Sequence, residues 1–578
     1  MTGNDQHLKL WYRVSFAGFG LIGLFTVISG ISLSCEYGSP FSHPSIAVPI
    51  LLITGTVLAF LALRTALKIE NPQSSLLFLI LCIGISLRAI SLFTTPILEI
   101  DYYRYIWDGK VSAEGVSPYF YSPARTLRAE PSLEPSYQQV VALSTKSESN
   151  FTILQRIHFA DYRTIYPPVS QFVFAAAMKW FPHTASVSAH IILIKAVMVL
   201  FELLTMWLVC LLLKRLALHQ GWLIAYAWNP LVIKEIANSG HLDSIVSFFV
   251  VASIYLVTRW VILEKSEQKP VLPFLPLLSG LTLGLGVGAK LFPVVLFPAL
   301  FCTLARYQWS KATLFALSFT VTGTLCLWPM YQATSKVEHA VSVEKILTEP
   351  MSNSLGASDK VVADNKEGLS SFLTQWRMND VIFSGLYLNL KPDNSDRMDD
   401  RGISPWFVVS SNEFRKQVAR WCQSIGLGGT RPTFMLTRIV TMSLFAMFYV
   451  WQLIGIYREQ ESGAGINFER LTWIAVVFLF LQPTVNPWYW VWIAPLACLS
   501  RNAGWLLVSG CLMAYYFRFW FKSIEGTYQF AGTGYSGERL FDFGLAWVEF
   551  ACIVVVVVWF YFLTRGRTID VGGAEAPK

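Results

Sequence analysis

Between positions 99 and 110 the chain reads Glu99-Ile100-Asp101-Tyr102-Tyr103-Arg104-Tyr105-Ile106-Trp107-Asp108-Gly109-Lys110, directly after a long apolar run. Three carboxylates, two cations and four aromatics share twelve residues at what reads as a membrane exit. A carboxylate at that depth is partly desolvated, which raises its pKa toward the range useful for taking a proton from a hydroxyl. The flanking aromatic faces suit the apolar faces of sugar rings. The alternative is architectural: an interfacial aromatic belt whose charges pair with one another.

Further along, Gly240-His241-Leu242-Asp243 closes one apolar run, and Lys290 sits between two others on the side where positive charge is otherwise sparse. A bound anion such as a lipid phosphate would explain a cation placed there. His241 and Asp243 could equally cap the next helix, with Asp243 favourable at its N-terminal dipole. Asn486-Pro487-Trp488-Tyr489-Trp490 makes an aromatic external hairpin, and Trp376-Arg377-Met378-Asn379-Asp380 a second polar and aromatic cluster. Arg88, Lys195 and Glu202 lie inside apolar runs, where charges pair or line a cavity; an ion pair with a neighbouring span is expected. No GxxxxGK[ST] loop, GxGxxG turn or GxSxG elbow occurs, so the chain shows no means of binding a nucleotide for its own chemistry. The nine cysteines form no CxxC pair and read as small core residues.

The elements that must position these residues follow from composition. Of 578 residues 54% are hydrophobic and 14% charged, against about 25% charged in a soluble domain. The net charge of +8 is spread singly between apolar runs and forms no basic stripe, so nucleic acid is not a partner. An all-α polytopic membrane protein with about fourteen transmembrane helices is expected, forming a single domain over 1–578. Placing the N terminus inside puts Lys68, Lys214, Arg215, Lys265, Lys269, Lys311, Arg458, Arg501, Arg565 and Arg567 on the cytoplasmic side, and the turn Glu36 to His43 outside. Both termini are then cytoplasmic. Two long polar segments, about 98–187 and 332–430, become external loops, within which Arg104 to Glu114 and Phe414 to Ile425 read as amphipathic helices on the membrane surface.

Asp101 through Gly109, with Gly115-Val116-Ser117-Pro118-Tyr119, resembles the first-loop signature of bacterial glycosyltransferases of the C superfamily. The nearest branch includes polyprenyl-phosphate-mannose-dependent mannosyltransferases. Tyr166-Pro167-Pro168, Trp228-Asn229-Pro230-Leu231, Gly240 to Asp243, Lys290-Leu291-Phe292-Pro293 and Pro487-Trp488-Tyr489 look like later blocks of that branch, in the same order. The resemblance implies an inner-membrane enzyme with an extracytoplasmic active site. It would move a hexose, with inversion, from a polyprenyl-phosphate-sugar donor to a hydroxyl of a glycan or glycolipid acceptor among the membrane lipids. Asp101 matches the general base; Arg104 and Lys290 would hold the donor phosphate. Tyr102, Tyr103, Trp107, Asp108, His241, Asp243, Trp488 and Tyr489 would shape the substrate site. No cofactor is firmly implied, although Asp101, Asp108 and Asp243 could assemble a divalent metal site if they converge. In this chain three apolar runs precede the signature, whereas many members place the catalytic loop after the first. A transporter or flippase of a lipid-linked or polar solute is the competing reading.

Overall fold

The structure is a computed structural model and describes residues 3–35, 44–70, 74–129, 132–265, 272, 274–348, 368–393, 404–427, 431–458, 465–524, 526–530 and 532–565. The turn Glu36 to His43, Lys269 and Arg567 lie outside the described residues.

Apolar runs of twenty or more residues must close their backbone hydrogen bonds within the segment, and the helix does so. Among the described residues eight helices are long and apolar enough to cross a bilayer: Asp5–Leu33, Ile46–Ala66, Ser74–Leu92, Val187–Arg215, Asp243–Glu264, Trp309–Ala333, Pro432–Arg458 and Gly537–Leu563. The chain is therefore an all-α polytopic membrane protein, with one short hairpin in which Thr527–Phe530 pairs with Thr533–Ser536. The other six expected crossings are short or interrupted helices. Proline explains several of the breaks, because it lacks an amide donor and clashes with the preceding turn. The run from 221 to 237 divides into Ile224–Ala227, Pro230–Val232 and a π-helical turn, Ile233–Asn238. The Asn229 side chain accepts from Leu231 N at 3.0 Å and so satisfies an amide at the break.

The expected ion pair with a neighbouring span joins Arg88 to Glu202, whereas Lys195 meets backbone carbonyls. Arg88 forms a two-pronged bridge to Glu202 at 2.8 and 2.7 Å, joining the third span to Val187–Arg215, and also donates to the carbonyls of Gly84 and Ala227. Lys195 does not meet Glu202. Its ammonium donates to the carbonyls of Ser91 and Thr94 at 3.1 and 2.6 Å, capping the third span where its own helical bonds run out.

The first long polar segment folds inward. The stretch Arg104 to Glu114, expected on the membrane surface, falls in the helix Tyr102–Ala113, of which every residue from Tyr102 to Val111 is buried. Gly109 permits this, since a Cβ there would sit 2.6 Å from the Phe174 carbonyl oxygen of the Pro168–Met178 helix. Lys110 reaches His190 Nε2 at 2.8 Å and ties the same helix to Val187–Arg215. By contrast, Asn412–Ser424 keeps Phe414 and Trp421 exposed, as a helix lying on a membrane surface requires.

Breaking the Arg88–Glu202 pair leaves a carboxylate in an apolar interior. Arg88→Met is expected to destabilise the protein by about 3–5 kcal/mol, seen as a lower melting temperature in detergent. The double variant Arg88→Met, Glu202→Met should recover most of the loss.

Candidate functional site

A cavity of about 1170 Å³ opens where the first polar segment, the second polar segment and the ends of the interrupted helices meet. Its walls come from 95–105, 156–167, 187–191, 290–294, 369–378 and 515–522, together with Asp243, Trp488 and Tyr489. Asp101, Tyr102, Tyr103, Arg104, Asp243, Lys290, Trp488 and Tyr489 all line it, although they come from four separate stretches of sequence. Trp107, Asp108 and His241 do not: each is buried behind the wall.

Asp101 is half-buried at the start of the Tyr102–Ala113 helix, where its carbonyl accepts from Arg104 N at 2.9 Å. Its carboxylate accepts from the Tyr166 hydroxyl at 3.2 Å. Tyr166 is held in turn by Tyr105, edge to face at 5.0 Å, and Tyr105 stacks on Phe174 at 4.8 Å. Glu99 Oε1 accepts from the amides of Ile100 and Asp101 at 2.9 and 3.0 Å, fixing the backbone just before the helix. Leu98 adopts φ 56°, a conformation uncommon for a side chain of its size. Asn238 secures the approach to this turn, accepting from Ile97 N at 2.9 Å and donating to Thr94 Oγ1 and the Thr95 carbonyl at 2.9 and 3.0 Å.

Behind Glu99 lies a buried set of charges. His241 Nε2 is 3.4 Å from Glu99 Oε2 and 3.3 Å from Glu235 Oε2, and its ring stacks on Trp488 at 4.6 Å with an interplanar angle of 12°. Tyr516 donates to Glu235, and Lys234 reaches Tyr516 Oη at 2.7 Å and Glu235 at 3.4 Å. Gly240 makes the bend at φ 76° that turns His241 back into this set.

The electrostatic result separates two neighbouring carboxyls. Burial pushes Asp101 up and the Glu99 charge pushes it further, to about 7, against the opposing influence of His241, the Tyr166 hydrogen bond and Lys290. Burial also works against ionised Glu99, but the charge of His241, with Lys234 and the Asp101 amide, outweighs it and holds Glu99 at about 2. His241 loses by burial and gains more from Glu99 and Glu235, so it keeps its proton to about 10.

The cations of the site are already engaged. Lys290 bridges both oxygens of Asp243 at 2.8 and 3.0 Å and lies 4.2 Å from the centre of the Tyr489 ring. Arg104 donates from Nε to Asp108 at 2.9 Å and from Nη1 to the Tyr162 carbonyl at 2.9 Å, leaving Nη2 buried without a hydrogen-bond partner. Asp108 also accepts from Gln171 at 3.1 Å. Asp101, Asp108 and Asp243 thus do not converge, and among the described residues no group of three His, Cys, Asp or Glu is arranged to hold a metal.

Trp376, Arg377 and Met378 bring the second polar segment into the same wall. Met378 N donates to the Pro483 carbonyl at 2.9 Å and Val485 N to the Met378 carbonyl at 2.8 Å, so this cluster is stitched to the chain just before Asn486-Pro487-Trp488. Sequence reasoning missed Glu235, Lys234, Asn238 and Tyr516. Glu235 and Lys234 sit in an apolar run and Asn238 just past its end, the π-helical turn they share has no sequence signal, and Tyr516 is one aromatic among many.

Residues 37–306 match the N-terminal domain of the family described as alpha-(1->6)-mannopyranosyltransferase, and residues 417–531 match the MptB C-terminal domain. No curated protein and no solved structure matches. The two matches run in order along the chain and take in Asp101, Asp243 and Lys290 in the first, Trp488 and Tyr489 in the second. The protein belongs to the alpha-(1->6)-mannopyranosyltransferase family, a glycosyltransferase-C-like branch, and is a membrane mannosyltransferase.

Proposed function

We propose that the protein transfers mannose from polyprenyl-phosphate-mannose to a hydroxyl of a glycan or glycolipid acceptor, with inversion, and that Asp101 is the general base. The observation that carries this reading is the placement of Asp101: open to a cavity of about 1170 Å³, and held near neutrality by burial and Glu99. A base is most effective when its pKa lies near the working pH.

In the proposed reaction the acceptor oxygen attacks the anomeric carbon as Asp101 takes its proton. The bond from that carbon to the phosphate oxygen breaks, and its electron pair leaves with the polyprenyl phosphate. Inversion with an α product requires a β-linked donor. Lys290 and Arg104 would offset the growing phosphate charge, their existing bonds to Asp243 and Asp108 fixing them in place beforehand. Tyr102, Tyr103, Trp488 and Tyr489 supply walls for the sugars. His241 and Asp108 act from behind, the first against Glu99 and Trp488 and the second by holding Arg104. The distribution of Lys and Arg supports an extracytoplasmic cavity, cytoplasmic termini and a bacterial inner-membrane location.

Asp101→Asn keeps the shape of the site and removes the base. Release of polyprenyl phosphate from labelled donor should fall by about 10²–10⁴-fold, with the melting temperature unchanged. For the wild type, activity should rise with pH through a midpoint near 7 as Asp101 loses its proton. Glu99→Gln removes a negative charge that raises the Asp101 pKa, so this limb should move to lower pH while the maximal rate falls. A profile of rate against pH for both proteins checks the sign.

A further inference from the structure

Arg438 is a cation of the cavity that the mechanism above does not use. It lies in the second turn of the Pro432–Arg458 span and lines the cavity from within that span. Its guanidinium donates to the carbonyl of Leu373 in the Gly368–Gln375 helix. Among the described residues no carboxylate pairs with it. Four other cations of the same wall do have one. Arg104 is answered by Asp108 at 2.9 Å, Lys290 by Asp243 at 2.8 Å, Arg377 by Asp380 at 2.9 Å, and Arg518 by Glu538 and Asp542 at 2.6 and 2.9 Å.

A charge inside a membrane span without a counter-charge is costly, and in such positions it marks a ligand path. The ligand must be an anion. Its other half is set by the apolar part of the wall that Arg438 shares: Leu369, Phe372 and Leu373 on the helix whose carbonyl it holds, and Phe478 and Leu479 on Phe468–Phe480, all lining the same cavity. A free phosphate or a soluble nucleotide would use the charge and leave this apolar wall unfilled. A phosphate ester of a long hydrocarbon chain uses both.

We propose that Arg438 binds the phosphate of the lipid carrier and that Leu369, Phe372, Leu373, Phe478 and Leu479 hold the first units of its chain. This assignment rests on the donor reading given above. It places contacts to the carrier on the C-terminal matched part and on the Gly368–Gln375 helix that precedes it. Arg438 thus adds to Lys290 and Arg104 of the N-terminal part, where Asp101 faces the mannosyl carbon.

The test measures KM for polyprenyl-phosphate-mannose, kcat, and binding of polyprenyl phosphate alone, in detergent-purified full-length protein. Arg438→Gln is expected to raise the donor KM and weaken polyprenyl phosphate binding by about ten- to a hundredfold, the worth of a charge-assisted hydrogen bond, and Arg438→Lys to restore most of both. A donor KM within twofold of wild type in active Arg438→Gln would overturn the assignment and leave the donor reading standing. Wild-type protein that neither binds polyprenyl phosphate nor consumes the donor would overturn the donor reading, and this one with it. Leu369→Trp tests the wall without touching the charge: KM should rise for the long-chain donor and not for a short-chain analogue. An equal effect on both would overturn the wall, as would inorganic phosphate displacing polyprenyl phosphate at similar concentration.

Discussion

The site depends on one buried interaction, the contact of His241 with both Glu99 and Glu235. Two carboxylates in an apolar interior would neutralise by taking up protons unless cations met them. His241 and Lys234 meet them, and Tyr516 adds a hydroxyl donor. With Glu99 kept ionised, both of its oxygens have work. One faces His241, and the other receives the amides that set the start of the Tyr102–Ala113 helix. The same ionised group is the nearest cause, after burial, of the raised pKa of Asp101. Geometry and protonation of the proposed base therefore have a common origin.

That interaction exists because a helix is interrupted. A continuous α-helix through this run would place Lys234 and Asn238, four residues apart, on one face and Glu235 about 100° round from Lys234. The break at Pro230, the π-helical turn at Ile233–Asn238 and the bend at Gly240 bring all three to the end of the third span. Non-helical backbone at membrane depth is tolerated where protein or a cavity satisfies its polar groups. Here the Asn229 and Asn238 side chains do so. The interrupted run supplies the charges that stand behind Asp101.

The two polar segments are parts of one wall rather than separate loops. The first is packed inward through Gly109 and the Lys110–His190 contact. The second is stitched through Met378 to the strand leading to Trp488, whose ring stacks on His241. The 376–380 cluster is thus linked to the charge set behind Asp101 through the Met378–Val485 backbone bond and the Trp488–His241 stack.

The sequence by itself determined the class of solvent, the helical architecture and the identity of most of the wall. Apolar runs of sufficient length admit few alternatives to a helix, and the acidic and aromatic types at 99–110, 240–243 and 486–490 mark the segments that meet. It also marked Arg88, Lys195 and Glu202 as charges needing partners, since an unpaired charge in a span is costly. What it could not supply was the pairing. Arg88 and Glu202 are separated by 114 positions and His241 and Trp488 by more than twice that, and periodicity carries no information across such distances. Only the tertiary structure decided that His241 stands behind the cavity while Asp101 lines it, that Asp108 serves Arg104, and that six apolar runs form short or interrupted helices. The physical reason is shared. Each outcome is set by where a buried charge or a broken backbone finds its partner, and the partner belongs to another part of the chain.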